Sequence, residues 1–268
     1  MTHCVVFDLE TAPDIEMSRR LLGLGADETY DAVRQAIGQR YGRDGQPPLE
    51  VFLKPPLQRI LCVGALFAER EDDGAYVVRR LGARHIGEKS EPDLVRDFVA
   101  GLPRDDADKG PVLVSFNGGG FDLPVLRYRA LAYGAPVPAL FRGANRDYWY
   151  RFGWDHIDLC DMLSGFGASA RPSLAEMAAL LGIPAKLDGV DGSQVEALAR
   201  AGEFDRIAAY CLGDVIITFR LMLRFALIRG EIDDAQAEAS EASLDAAIER
   251  HLTHWPLLAA MRRGDPPV

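Results

Sequence analysis

The sequence predicts an α/β protein in which a mixed β-sheet is flanked by helices on both faces. Apolar runs of strand length occupy the first half of the chain, and an acidic turn joins two of them into an apparent antiparallel hairpin. Patterns with helical periodicity separate the first two strands and dominate the second half. Early strands that include a hairpin, followed by covering helices, favour a mixed sheet with two helical layers.

The predicted strands begin and end at clear changes of composition. They cover 4–10, 59–68, 75–82, 111–117 and the start of 156–163. Two weakly amphipathic helical patterns, around 15–24 and 27–41, lie between the first two strands and predict a helical insertion over 14–58. Pro55 and Pro56 end it, because proline cannot continue a helix or a central strand.

Helix boundaries follow from capping residues and glycines. Helices are predicted over 91–101, from Asp122, over 203–228 and over 240–250. Two capping boxes, Ser173 with Glu176 and Ser193 with Glu196, predict further helix starts, and Gly182 closes the first of these helices. We expect one main domain over 1–230 and a C-terminal helical extension over 231–268.

Composition restricts the class of protein. The chain has 268 residues, of which 48% are hydrophobic and 26% charged, as is usual for globular proteins. No apolar run is long enough to cross a bilayer and no secretory signal pattern is present, so we expect a cytoplasmic protein without membrane contact. The four cysteines are far apart, which favours reduced core thiols over zinc ligands or disulfides: Cys4, Cys62, Cys160 and Cys211.

The net charge of −10 argues mildly against broad affinity for nucleic acid. The acidity has two possible sources, a solvated surface or carboxylates gathered to hold cations. Cations bound in a cleft reverse the local field, so that an acidic site can still receive phosphate. Net charge therefore leaves the question open.

The first acidic pair is Asp8 and Glu10, at the end of the first strand. Side chains alternate along a strand, so these two share a face while Leu9 points the other way. Strand rise separates them by about 7 Å, close enough to share a cluster of hard cations. A strand end running into solvent would also carry acids, and the pair alone does not decide between the two.

The second group, Asn117 and Asp122, lies in SFNGGGFD, where a buried strand ends in three glycines before a helix. Glycine allows a close approach of backbone or substrate. Asp122 is equally well explained as a helix cap. A glycine-rich turn after a strand also raises a dinucleotide-binding site, but the G-x-G-x-x-G pattern is absent.

The third group, Tyr210 and Asp214, is spaced i, i+4 on a predicted helix, so that both side chains address one point. A satisfied tyrosine–aspartate pair on a partly buried helix would have the same spacing. However, Asp214 lies among apolar residues, where an acid needs a partner, and a cation is a suitable one.

These groups together, in this order, resemble the DEDD superfamily of 3′–5′ exonucleases in its tyrosine subgroup, DEDDy, which has a ribonuclease H-like fold. The chain looks most like the bacterial predicted 3′–5′ exonucleases related to the proofreading domain of family B DNA polymerases. The resemblance extends from Val5 to about Leu223 and includes KPPLQRILCVGA, HIDLCDML and the stretch from Ser173 to Val195. The insertion and the tail after 230 match least.

The resemblance implies a metal-dependent nuclease that removes nucleotides from the 3′ end of DNA, with a preference for single-stranded DNA. Two divalent ions, Mg²⁺ or Mn²⁺, would clamp the attacking and leaving oxygens. The implied metal ligands are Asp8, Glu10, Asp122 and Asp214, with Asp8 bridging both ions. Tyr210 would orient the attacking water. The histidine subgroup has its histidine five residues before the last aspartate, where this chain has Ala209.

The same resemblance implies contacts with the terminal nucleotide. The backbone at Leu9 and Glu10 and the hydroxyl of Thr11 would contact the 3′-terminal sugar, while Asn117 and Phe121 would lie near the nucleotide. Alternatives remain at this stage: an RNA 3′-end exonuclease, a catalytically silent nucleic-acid-binding module, and a cofactor-binding α/β enzyme. The silent module is disfavoured because all four acids and the tyrosine are present.

Other segments carry weaker signals. Residues 141–154 mix aromatic residues with arginine, which suits stacking on single-stranded nucleic acid but equally an aromatic satellite core. Lys186 and Gln194 could line the strand path or simply belong to a loop. His156 precedes Asp158 and Asp161, which could support the metal shell or only join a strand to a helix. His251 and His254 lack a third ligand for zinc.

Overall fold

The central feature of the computed structural model is one mixed five-stranded sheet; residues 3–103, 110–143, 146–184, 189 and 192–263 are described. The strands are β1 (His3–Pro13), β2 (Gln58–Arg70), β3 (Tyr76–His85), β4 (Val112–Ser115) and β5 (His156–Asp158). Their order is β3-β2-β1-β4-β5, in which β2 runs antiparallel to β1 and β3, and β4 runs parallel to β1 and β5. The predicted α/β class with a mixed sheet is confirmed.

Helices cover both faces of this sheet, as predicted. Those of the described residues are α1 (Ile15–Leu22), α2 (Tyr30–Tyr41), α3 (Glu91–Ala100), α4 (Asp122–Tyr133), α5 (Leu159–Leu163), α6 (Leu174–Leu180), α7 (Val195–Ala201), α8 (Phe204–Ile228) and α9 (Asp234–Glu249). Short 3₁₀ turns lie at Pro48–Glu50, Pro55–Leu57, Pro138–Leu140, Gly192–Gln194 and Pro256–Met261. None of the helices in the described ranges has both the length and the apolar character that crossing a membrane requires.

Alternation along β1 divides the core into two layers. Val5, Phe7 and Leu9 point into the layer formed with α3 and α4, whereas Cys4 and Val6 point into the layer formed with α8 and α9. Asp8 and Glu10 continue the second series, so they face α8. The central strand therefore carries its acids towards a helix that is apolar along most of its length.

Two predicted helix boundaries differ from the structure. α9 begins at Asp234 instead of 240, because Asp233 and Gln236 form a capping box that starts the helix earlier. The capping box predicted at Ser193 is wrong, although the one at Ser173 is confirmed. The Glu196 carboxylate instead accepts hydrogen bonds from the Tyr30 hydroxyl at 2.7 Å and from Arg34 Nε at 3.1 Å. A buried guanidinium is a stronger partner for a carboxylate than an exposed backbone amide.

The insertion after β1 has a small core of its own, formed by Ile37, Val51, Leu53 and Leu57. The contact between Arg34 and Glu196 ties it to α7. At the other end of the chain, α9 packs on the edge strand β3, where Ser240 Oγ accepts a hydrogen bond from the Tyr76 amide at 2.8 Å. The division into a main domain and a C-terminal extension stays a prediction.

Candidate active site

Asp8 and Glu10 lie on the face of β1 that looks towards α8, as the alternation predicts. Ligand atoms of Asp8, Glu10 and Cys211 all lie within 4.8 Å of one another. The pairing of β1 with β2 shifts register between Glu10 and Thr11. A bulge of this kind re-aims side chains at the end of a strand, and here it comes immediately after the second acid.

α8 approaches the sheet closely enough to bring its own side chains to these acids. Its Cys211 Sγ lies 3.4 Å from the main-chain oxygen of Asp8 and 3.5 Å from Asp8 Oδ2. Gly64 on β2 makes this approach possible, because a Cβ at that position would lie 2.7 Å from the same sulfur. Tyr210 and Asp214 flank Cys211 on the helix, and electrostatic effects of Asp8 and Glu10 reach the Tyr210 hydroxyl.

α4 adds the fourth acid from the other side of β1. The helix begins at Asp122 itself, so this residue does not occupy the N-cap position that the alternative interpretation gave it. Its Oδ1 accepts a hydrogen bond from the Leu9 amide at 2.9 Å. Asp122 is therefore fixed directly to the strand segment between Asp8 and Glu10.

The turn before Asp122 is held in an unusual conformation. Asn117 has a φ of 64°, in the left-handed region that side chains rarely adopt. The Asp158 carboxylate at the end of β5 accepts hydrogen bonds from the amides of Asn117 at 2.8 Å and Gly119 at 2.9 Å. One aspartate thus fixes two backbone positions of the turn that leads to Asp122. The sequence only raised Asp158 as possible support for a metal shell.

Electrostatics distinguishes these four carboxyl groups from ordinary surface acids. Burial, followed by the charge of Asp214, raises the pKa of Asp8 to about 7. Burial, followed by the charge of Asp122, raises the pKa of Asp214 to about 7, against a lowering effect of the Tyr210 hydroxyl. Burial likewise raises the pKa values of Glu10 and Asp122 well above normal, and the charge of Asp8 raises both further.

No arginine or lysine in the described ranges forms an ion pair with any of these four acids. Buried carboxylates without a cation are unfavourable unless they are protonated or a cation binds. Carboxylate oxygen is also the ligand that hard divalent cations prefer. The donor set and its unbalanced charge therefore fit a divalent metal centre. Burial raises the pKa of the Cys211 thiol well above normal, so the sulfur stays protonated.

Comparison with known proteins identifies the family to which this chain belongs. Residues 50–260 match the profile of a family described as predicted 3′–5′ exonucleases related to the exonuclease domain of PolB. The chain belongs to this family. The matched segment includes Asp122, Tyr210 and Asp214, and begins after Asp8 and Glu10.

A family B DNA polymerase from the hyperthermophilic archaeon Pyrobaculum calidifontis is among the solved structures similar to this family member. The TM-score is 0.48 and the sequence identity is 18%, over 95% of this chain and 29% of the polymerase chain. The chain thus spans less than a third of the length of that polymerase. No curated protein matches the sequence significantly.

The residues that the resemblance assigned to nucleotide contact do not all lie in one place. Leu9, Glu10, Thr11 and Phe121 line a cleft of about 760 Å³. The Leu9 amide is already bonded to Asp122, so Leu9 can offer a nucleotide its carbonyl and the cleft wall but not this donor. Asn117 lies outside the set that lines this cleft, and its Oδ1 accepts a hydrogen bond from Arg171 Nη1 at 3.3 Å.

The aromatic segment over 141–154 divides between core and surface. Tyr148 is buried and donates its hydroxyl to the Pro111 carbonyl at 2.8 Å. Phe152 and Trp154 are mostly exposed. The satellite-core interpretation describes Tyr148 and also Phe141, which packs edge-on against Trp149. Stacking of Phe152 and Trp154 on nucleic acid stays a prediction. Gln194 is exposed in the turn before α7, and Lys186 lies outside the described residues.

His156 and Asp161, which the sequence raised as possible support for a metal shell, have other partners. His156 is buried, its Nε2 lies 2.7 Å from Ser115 Oγ, and burial lowers its pKa to about 4. Asp161 binds the guanidinium of Arg151 through both oxygens, at 2.6 and 2.8 Å. All four cysteines are buried and free, as predicted. His251 and His254 belong to no group of metal-ligating side chains in the described ranges.

Proposed function

We propose that this protein is a metal-dependent 3′–5′ exonuclease acting on the 3′ end of DNA, with a preference for single-stranded ends. The observation that carries the proposal is the convergence of four acids from three elements: Glu10 and Asp122, which are buried, and Asp8 and Asp214, which are half-buried. None of the four has a cation partner among the described residues. The family description supports the same reaction. RNA is the alternative substrate, since the same acids would serve either sugar.

These four carboxylates would hold two divalent ions, Mg²⁺ or Mn²⁺. When bound, the ions would offset the charge that develops on the phosphate and lower the pKa of a coordinated water. Asp8 would be the central ligand of this set, because it lies beside Glu10 and its charge acts on both Glu10 and Asp122. Glu10 and Asp214 complete the ligand set on the α8 side, and Asp122 completes it on the α4 side.

Tyr210 would position the attacking water. Burial, followed by the charge of Asp214, raises the pKa of its phenol well above normal, so that the hydroxyl is neutral at any physiological pH. A neutral hydroxyl can donate one hydrogen bond and accept another, which fixes the direction of a water molecule without taking its proton. We therefore assign Tyr210 to orientation of the water and not to general base catalysis.

Hydrolysis adds the water oxygen to the phosphorus as the bond from phosphorus to the 3′ oxygen of the preceding nucleotide breaks. That 3′ oxygen receives a proton, and a nucleoside 5′-monophosphate leaves. The terminal sugar would meet the Leu9 carbonyl and the Thr11 hydroxyl, and the base would meet Phe121. Asn117 would act on the opposite side of Asp122, mainly by shaping the turn.

The proposal is tested with 5′-labelled DNA and RNA oligonucleotides incubated with Mg²⁺, Mn²⁺ or a chelator. We expect a ladder of products shortened from the 3′ end that requires the metal. Asp8→Asn and Asp214→Asn should each lower the rate more than about 100-fold, beyond what loss of an outer-shell partner costs. Asp97→Asn, at an exposed acid on α3, is the control. Cleavage by Asp214→Asn at the native rate would refute the proposed site.

Tyr210→Phe separates positioning from metal binding. Loss of the hydroxyl should lower kcat by about 10- to 100-fold, within the range for a group that aids proton transfer or orientation. The Mn²⁺ affinity, measured by calorimetry, should change by less than about threefold, since no ligand oxygen is removed. Equal losses of affinity and rate would make Tyr210 a structural residue.

A further inference from the structure

The aromatic side chain of Phe52, in the insertion, is exposed to solvent. It is 73% exposed, a larger fraction than for any other phenylalanine, tyrosine or tryptophan that the structure describes. Its neighbours Val51 and Leu53 are almost completely buried in the core of the insertion. An aromatic ring held outward between two anchored residues loses apolar burial that the chain could otherwise obtain.

The backbone that carries Phe52 is fixed by buried polar contacts. The guanidinium of Arg34, itself 4% exposed, donates to the carbonyls of Pro48 at 2.9 Å, Leu49 at 2.8 Å and Val51 at 3.1 Å. On the other side, Gln58 Nε2 donates to the Leu53 carbonyl at 2.8 Å. The loop is thus anchored on both sides of residue 52. A ring on such a support is pre-organised for contact with a ligand.

The ring of Phe52 meets the site at Phe121, the residue before Asp122. The two ring centroids are 5.2 Å apart with an interplanar angle of 45°. Both rings line the cleft that also contains Leu9, Glu10 and Thr11. This cleft therefore brings together Glu10 of β1 and two aromatic rings, one from the insertion and one from the turn before α4.

We infer that Phe52, together with Phe121, forms a stacking platform for a nucleobase at the 3′ end of the substrate strand. This inference rests on the proposed function, because it takes the phosphate of the same nucleotide strand to lie at the acids. One sugar separates the base of a nucleotide from its phosphate, so the base can contact the aromatic rings while the phosphate lies at the acids. The rings already touch each other, so the base stacks on the outer face of the pair and does not enter between them.

The platform has a consequence for the choice of substrate. A base can stack on Phe52 only when its face is free of neighbours, which favours a frayed or single-stranded end over a paired one. Every base has an aromatic face, so the contact distinguishes strand state and not sequence. The insertion, most of which precedes the segment matched by the family profile, thereby contributes to the substrate site.

The test uses the full chain and a matched set of variants: Phe52→Ala, Phe52→Trp and Phe141→Ala. Phe141 is an exposed control that pairs with Trp149 and lies near Pro111, at the opposite end of β4 from the acids. Two single-stranded DNA oligonucleotides are compared, one normal and one with abasic positions at its last two nucleotides. Steady-state degradation is measured in Mn²⁺, and affinity is measured by fluorescence anisotropy in an Asp214→Asn background, which does not depend on turnover.

For the normal oligonucleotide, Phe52→Ala should raise KM and Kd by about 10-fold, as expected for loss of one stacked base. The kcat should change by less than about twofold, while Phe52→Trp and Phe141→Ala should resemble the native chain. For the abasic oligonucleotide, Phe52→Ala should have no effect, because the group that it contacts is already missing.

Two results would overturn the inference. One is an unchanged affinity of Phe52→Ala for the normal oligonucleotide. The other is an equal loss for normal and abasic oligonucleotides, which would mean that Phe52 acts through the shape of the insertion. Failure of the proposed function looks different: the native chain would show no metal-dependent hydrolysis, whatever the anisotropy measurements give for Phe52.

Discussion

Two clusters of acids lie along β1 and α4, and they differ in whether the chain supplies a positive charge. In the first, Asp8 and Glu10 of β1 meet Asp122 of α4 without any cation in the described part of the chain. In the second, Asp14 after β1 meets Arg129 of α4, whose guanidinium also binds Glu91 at the start of α3. We name these the open cluster, which also includes Asp214, and the closed cluster.

The closed cluster satisfies its charges within the chain. Arg129 Nη1 donates to Asp14 Oδ2 at 2.5 Å, and Nη2 donates to Glu91 Oε2 at 2.8 Å. The remaining oxygens of these acids accept the amides of Met17 at 2.9 Å and Ile60 at 2.7 Å. The cluster joins β1, α3 and α4, and so it keeps in register the two elements that carry Asp8, Glu10 and Asp122.

The source of the positive charge distinguishes the cluster that stabilises the fold from the cluster proposed to bind metal. A buried acid whose partner is an arginine of the same chain stabilises the fold. A buried acid without such a partner leaves room for a cation from solution, and its raised pKa measures how unfavourable the bare charge is. Three predictions follow from this difference, in order of decreasing effect on stability.

The largest effect is expected in the closed cluster. Arg129→Met leaves Asp14 buried without a cation and Glu91 with only the longer, 4.0 Å contact to the exposed Arg59, which should lower the free energy of unfolding by about 3–5 kcal/mol. Urea denaturation measures the loss. Arg127→Met is the control on the same helix. The Arg127 guanidinium lies over the Trp149 ring, and its loss should lower the free energy of unfolding by at most about 1 kcal/mol. Adding Asp14→Asn and Glu91→Gln to Arg129→Met should restore part of the stability. A loss of the same size in both arginine variants would contradict the comparison.

The second effect concerns the open cluster, which should take its cation from solution. Mn²⁺ at 100 times its dissociation constant should stabilise the native chain by about 2.7 kcal/mol. For a chain of this size, each kcal/mol raises Tm by about 2–4 °C. Differential scanning fluorimetry measures the shift with Mn²⁺ and with chelator. Asp8→Asn and Asp122→Asn should lose most of it, whereas Asp97→Asn should keep it. If Mn²⁺ still raised the Tm of both Asp8→Asn and Asp122→Asn, the cation would bind elsewhere.

Local patterns in the sequence predict most of the elements and indicate which candidate site residues share a face, while the metal-ligand set stays an expectation from the family resemblance. Strand alternation placed Asp8 and Glu10 on one face, and i, i+4 spacing placed Tyr210 beside Asp214, because both periodicities depend only on backbone geometry. Neither periodicity indicates where distant elements meet. That Gly64 admits α8 to the sheet depends on contacts between residues far apart in the chain.

The same limit explains what sequence reasoning missed. Glu196 looked like a capping residue because its true partner, Arg34, is 162 positions away. Asp158 gave no local sign that it fixes the turn at Asn117, since β5 meets that turn only in the folded sheet. No pattern in the sequence singles out Phe52, because its exposure and the burial of its two neighbours are properties of the fold.

The smallest effect is a pH dependence of the open cluster without metal. The pKa of Asp214 rises from 3.8 to about 7 on folding, so the folded state keeps a proton that the unfolded chain releases between these values. Its contribution to stability is complete below about pH 4 and is lost as the pH rises to 7. Asp214→Asn removes a charge that the metal-free fold does not favour, and should therefore raise Tm at pH 8 by at least about 2–4 °C, the shift for ~1 kcal/mol.

The advantage of Asp214→Asn over the native chain should shrink as the pH falls to 5, where the native carboxyl is largely protonated. Scanning fluorimetry of both chains in chelator at pH 5 and pH 8 measures the difference, and Asp97→Asn again serves as the exposed control. Mn²⁺ at pH 8 should reverse the order of the two chains, because only native Asp214 gains a partner. If the Tm difference between Asp214→Asn and the native chain were the same at pH 5 and pH 8, the charge of Asp214 would not destabilise the metal-free fold. The lack of a cation would then not be what distinguishes the open cluster from the closed cluster.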